Sequence, residues 1–275
     1  MKFNKIVSLI FSYPSVVLPF FILTLIEALF LSLWYYSPRP LISLILAPPI
    51  RVFMGEKFLH YPYLFLMLPR VMFISRVFVY LGCGISALIM TICSLYQVQK
   101  EKRSPRFWPN LNRALRNLPV LSGVGMLFCT VAFLLYKIPR VVIAKFVFDN
   151  LQLEISSYVL FLILFIFLAL GEGLFTASCV NYVLKNNNLG ASIKNAFSFV
   201  RSRLLSLVLF ICSVRLLILG LTLIKWHIPY LLKNMFVLFP ELVLVILILE
   251  IIVYFVANIL IVSGITLAVI ESEGG

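Results

Sequence analysis

LVLVILILEIIVYFVANILIVSGITLAVI, residues 242–270, decides the class of this chain. As a helix it extends roughly 40 Å, more than the ~30 Å hydrocarbon thickness of a bilayer. Its polar interruptions are few: Glu250, Tyr254, Asn258 and some small hydroxyls. In water a helix apolar on every face must be buried on every face. The rest of the chain offers no polar shell to bury it, because five more stretches read the same way: 15–36, 71–96, 120–136, 156–184 and 204–224. The whole chain of 275 residues is 63% hydrophobic and 12% charged, with mean hydropathy +1.10. A water-facing surface of that composition would aggregate. The segments are far longer than the ~9–11 residues of a barrel strand, so helices are the only spanning structure open to them. The predicted fold is all-α: a polytopic membrane protein, a six-span helical bundle in one integral membrane domain.

The N-terminus, MKFNK before an apolar run, has the outline of a signal peptide. The run continues to about Tyr36 and contains Glu27, longer than a ~7–15-residue signal core, and is read as an uncleaved first span. Lys and Arg in the connections set orientation. With the N-terminus inside, segments 1–14, 97–119, 185–203 and the tail from Glu271 carry twelve basic residues, against nine in the other connections. This predicts cytoplasmic N- and C-termini. The long second connection, 37–70, contains SLILAPPIRVFM and YPYLFLMLP, apolar but short and proline-broken. These are expected to lie in the interface or to pack over the mouth of the bundle.

Two of the inner connections share a pattern. NLNRAL (residues 110–115) resembles SIKNAF (192–197), with Leu111, Leu115 and Leu118 matching Ile193, Phe197 and Val200 at i, i+4 and i+7. That spacing predicts basic amphipathic helices on the cytoplasmic side, capped by Asn110 and Ser192. Arg106, Arg113, Arg116, Lys194, Arg201 and Arg203 supply charge and Trp108 an aromatic anchor, so these residues are the candidates for contact with anionic headgroups. Lys5, Ile6, Ile10 and Tyr13 give a third, looser copy. The chain can therefore also be divided into three hairpin units, about 1–98, 99–184 and 185–275. In its helix pattern, and in LGASIKNAFSFVRSRLLSLVLF (residues 189–210), it resembles uncharacterised bacterial six-helix membrane proteins similar to the membrane domain fused to some glycerophosphodiester phosphodiesterases. The resemblance implies a membrane domain without a catalytic head and supplies no catalytic residue.

The net charge of +13 is the kind a membrane protein spends on topology and headgroups, and no compact basic domain suggests nucleic acid. All five cysteines lie in apolar segments without a CxxC pair, and His60 and His227 are expected in loops, so neither a disulfide framework nor a metal site is predicted. No phosphate loop, HExxH or GxSxG is present, and no cofactor or enzymatic activity is expected. Chemistry is confined to polar residues inside spans. Glu172, Arg215 and Asn258 each lie some 12–13 residues from a cytoplasmic boundary, roughly 18–20 Å deep, and are expected to form one layer. Glu27, Glu250 and Arg76 lie toward the other side, where Arg76 can pair with either carboxylate. Gly173 with Ala177, and Gly82 with Ser86, offer small faces for close helix approach. Two functional readings follow. One is a non-catalytic scaffold or lipid-associated domain, alone, as a homo-oligomer or with a membrane partner. The other is a transporter or channel for a small solute or lipid with a midplane polar site.

Overall fold

A computed structural model describes residues 3–61, 63–146, 150–185, 188–231 and 241–272. Lys2 and Lys233, counted above for orientation, lie outside the described residues. Among the described residues all regular structure is helical. The α-helices are α1 (Phe3–Ser12), α2 (Leu18–Tyr35), α3 (Pro40–Phe53), α4 (Tyr63–Val79), α5 (Ile85–Gln99), α6 (Phe107–Phe146), α7 (Asn150–Lys185), α8 (Leu189–Ser202), α9 (Leu204–Leu231) and α10 (Leu242–Ser272). Six stretches are long and apolar enough to cross a membrane: Leu18–Tyr35, Tyr63–Gln99, Phe107–Val131, Leu162–Lys185, Leu204–Ile224 and Leu242–Ser272. The chain is a multi-pass membrane protein of helical class.

Several local expectations are corrected. YPYLFLMLP is not a broken segment but opens the second span, because α4 runs through Pro69. The third span is likewise longer than expected: α6 continues through Pro119, so residues 110–118 are the first turns of a long helix rather than a separate interfacial one. Proline removes one helical hydrogen bond, but in an apolar setting every alternative leaves more backbone groups unsatisfied, so the helix persists. Asn110 therefore sits inside α6 and caps nothing. Ser192 is inside α8, whose N-cap position is Asn188. His227, expected in a loop, falls within α9.

The chain groups into two compact units. Unit 1 comprises Met1–Val17, Ile85–Val214 and Leu260–Gly275; unit 2 comprises Leu18–Gly84 and Arg215–Ile259. The chain passes between units inside α9 and α10, and just after a single π-helical turn, Tyr80–Gly84, that joins α4 to α5.

Unit 1 is centred on helix that is buried on all sides. Every residue from Ile261 to Ile270 in α10 is buried, as is every residue from Ala87 to Leu95 in α5. Ile6 and Leu9 of α1 pack with Leu95, Val98 and Leu267. Lys5 of α1 pairs with Glu271 of α10. The two glycines around Glu172 serve different neighbours: a Cβ at Gly171 would collide with the Phe128 ring of α6, and one at Gly173 with Leu207 of α9. Gly173 thus marks the close helix approach its spacing with Ala177 predicts, whereas nothing lies within 4 Å of a Cβ built at Gly82.

Unit 2 is organised by α4, which uses two adjacent stripes. Phe65, Leu68 and Met72 pack with Leu31 of α2 and Val243, Leu247 and Ile251 of α10. One position earlier, Leu64, Met67 and Val71 pack with Ala47 and Ile50 of α3 and with Leu59. Both sets follow i, i+3, i+7, the period of one helical face. Two stripes offset by one residue let a single helix hold α2 and α10 on one side and α3 on the next.

Candidate functional site

Polar side chains from unit 2 converge at the end of α4. Arg76 directs Nε to Glu27 Oε2 of α2 at 3.1 Å and Nη1 to Glu250 Oε1 of α10 at 3.4 Å. The three side chains are only 12%, 4% and 3% exposed, respectively. The guanidinium also lies over the Tyr254 ring, 4.3 Å from its centroid. Next to this triad a hydrogen-bonded chain begins: Arg215 Nη2 donates to Asn258 Oδ1 at 2.9 Å, and Asn258 Nδ2 donates to the Tyr80 hydroxyl oxygen at 2.6 Å. Tyr80 and Tyr254 meet edge to face, with centroids 6.5 Å apart. Arg215 approaches the same Tyr254 ring at 5.5 Å.

Helical period builds this site. Glu250, Tyr254 and Asn258 stand at i, i+4 and i+8 on α10, one polar stripe in an apolar helix. Arg76 and Tyr80 stand at i and i+4 where α4 enters the π turn. The two stripes meet in matching order, Arg76 with Glu250 and Tyr80 with Asn258. The formal charges of Glu27, Glu250, Arg76 and Arg215 sum to zero. That balance matters because a lone charge at the bilayer centre costs ~2.5–3.5 kcal/mol on insertion scales. Arg76 Nη2 is buried and has no hydrogen-bond partner among the described residues. A fourth span residue supports the triad's helices: Trp34 Nε1 donates to Ser75 Oγ at 2.9 Å, tying α2 to α4 one residue before Arg76.

Of the six intramembrane residues singled out by sequence, five therefore gather in unit 2. Glu172 belongs to unit 1, half-buried on α7 between Gly171 and Gly173. Arg215, expected in one layer with Glu172 and Asn258, donates to Asn258 within unit 2. Sequence reasoning missed Tyr80 and Tyr254, the aromatic walls of the site. The signal was their spacing of four from Arg76, Glu250 and Asn258.

The basic candidates all lie in unit 1. Arg106, Arg116, Lys194, Arg201 and Arg203 are exposed, and Trp108 is 72% exposed. Arg113 is half-buried and donates through Nη2 to the carbonyl of Val183 on α7, an internal role. Helices α6 and α8 each bury one face against the rest of the protein. On α8 it is Ser192, Ala196 and Val200, while Ile193 and Phe197 are exposed. On α6 it is Asn110 and Ala114, while Leu115 is exposed. Small residues go inward because α7 and α8 approach closely, and the bulky apolar residues are left outside. Asn110 is held by Gln97 and Ser94 of α5: its Nδ2 donates to Ser94 Oγ at 3.1 Å, and Gln97 Nε2 donates to its Oδ1 at 3.0 Å.

All five cysteines are free. Among the described residues no three of His, Cys, Asp and Glu gather as metal ligands would. No protein-family model, curated protein or solved structure matches the chain.

Proposed function

We propose that this chain is a non-catalytic integral membrane protein that acts as a lipid-associated scaffold. Its termini face the cytoplasm of a bacterial inner membrane, and basic segments on that side, including an amphipathic α8, engage anionic headgroups. The observation that carries this reading is a contrast in how charge is used. Inside the spans Arg76 is taken up by Glu27 and Glu250, nearly out of reach of solvent. In the connections and the first turns of α6, Arg106, Arg116, Lys194, Arg201 and Arg203 stay exposed beside the exposed apolar residues Trp108, Ile193 and Phe197. Cations beside apolar side chains are what a headgroup layer accommodates, phosphate above and acyl chain below.

The test is native mass spectrometry of the detergent-extracted protein, which also reports subunit number and any membrane partner. Retained phosphatidylglycerol or cardiolipin should fall with added salt, and fall further in Arg106→Gln/Arg116→Gln/Lys194→Gln/Arg201→Gln. Equal lipid retention by this variant and the wild type refutes the reading.

One observation favours transport as a second reading: the π turn Tyr80–Gly84 begins at a member of the buried polar site, and such turns recur at functional positions. Lipid scrambling in proteoliposomes separates the two. Scrambling by the wild type that Arg76→Gln abolishes supports transport; none from either protein leaves the scaffold reading standing.

A further inference from the structure

Helix α3, in the connection between the first two spans, presents two faces. Ala47 and Ile50 are buried and pack on Leu64, Met67 and Val71 of α4. On the far side Leu41, Leu44, Ile45 and Val52 are 83%, 76%, 76% and 78% exposed. At about 100° per residue these four, with Pro48, fall in a stripe roughly 100° wide, its centre turned about 140° from that of the packed pair. Few apolar residues on the long spans stand so far clear of their neighbours. A stripe of this kind facing water is an aggregation surface.

Its placement identifies what covers it. α3 has 14 residues, too short to cross a bilayer. It starts just after the end of a span that closes with Trp34 and Tyr35, followed by Tyr36. It returns through Tyr61 to a span that opens with Tyr63. Trp and Tyr at both ends of the connection mark the level of the headgroups. Cations bracket the helix at that level: Arg39 at its N-cap, stacked 4.6 Å over the Tyr36 ring, and Arg51 in its last turn.

We infer that α3 is an interfacial anchor: it lies against α4 with the stripe Leu41–Leu44–Ile45–Pro48–Val52 sunk among the acyl chains of the adjacent leaflet, while Arg39 meets lipid phosphates and Arg51 holds Glu56 at 3.2 Å on the water side. The occupant of the exposed face is the bilayer, and α3 fixes how deep unit 2 sits. This concerns a different segment from the basic connections of the scaffold reading and does not depend on it.

The test is nitroxide accessibility in the full chain, reconstituted in phosphatidylcholine–phosphatidylglycerol vesicles, with exposed Cys83 and Cys129 changed to Ala. Labels at Leu44→Cys and Ile45→Cys should collide more with oxygen than with a water-soluble nickel chelate, at a depth of ~5–10 Å below the phosphates. A label at Glu56→Cys, just beyond α3, should show the reverse. Chelate collision at positions 44 and 45 matching that at 56 overturns the inference. So does spin–spin broadening at 44 and 45 that dilution with unlabelled protein removes, since a second copy would then cover the face. If one labelled variant does not fold, Leu41→Cys reads the same stripe.

Discussion

Replacing Arg76 with leucine puts the buried triad under the most direct strain. The substitution keeps an apolar side chain of useful size but strands Glu27 and Glu250, which are 4% and 3% exposed in the native protein. Removing one partner of a buried ion pair costs about 3–5 kcal/mol, because the remaining charge is left without compensation. Arg76 serves two carboxylates, so the upper end of that range is expected. At roughly 2–4 °C per kcal/mol for chains of this order of size, the melting point should fall by on the order of 10 °C. The assay is the monodisperse fraction surviving heat steps in detergent, read by fluorescence size exclusion. The informative comparison is Glu27→Gln/Arg76→Leu/Glu250→Gln. With no formal charge left in the triad, most of the loss should return, since exchanging a whole buried ionic set for neutral groups is often close to neutral. An Arg76→Leu protein melting within about 2 °C of wild type, or a triple variant no more stable than Arg76→Leu, refutes the claim that uncompensated charge is what the arginine prevents.

Three further outcomes follow by the same assay. Gly173→Ala forces a methyl into Leu207 and should cost about 1–3 kcal/mol, the usual toll of overpacking. Asn110→Leu deprives Ser94 and Gln97 of their partner and should cost about 1–3 kcal/mol; an unchanged melting point would mean water serves them equally well. Lys5→Gln removes a pair whose side chains are 45% and 52% exposed, so the change should stay below about 1 kcal/mol.

The helical class and the six spans were legible because a bilayer admits few solutions: a long apolar run has to satisfy its own backbone. Proline misled for the same reason. Pro69 and Pro119 are breakers in water, yet α4 and α6 run through them. Five of six intramembrane polar residues could be named as one group, since charge inside an apolar run stands out. Their grouping was harder to read. Depth counted from loop cations put Glu172, Arg215 and Asn258 in one layer, and a hydrogen bond joins two of these, Arg215 and Asn258. The spacing Glu250–Tyr254–Asn258 marked one face of α10, a signal hidden because tyrosine reads as interfacial filling. The residues that α6 and α8 bury against the protein, Ala114, Ser192 and Ala196 among them, were not legible, because close packing against a neighbour selects by size rather than by hydrophobicity.

The wholly enclosed stretch Ile261–Ile270 has a consequence for biogenesis. This stretch packs with Ile6 of α1, Leu95 and Val98 of α5 and Phe210 of α9, all of which the ribosome makes before it. Until it arrives, those side chains lack the neighbour they pack on in the finished protein. Insertion and final assembly are therefore separate events for this chain, and the nascent protein passes through a stage at which chaperones and membrane proteases can find it.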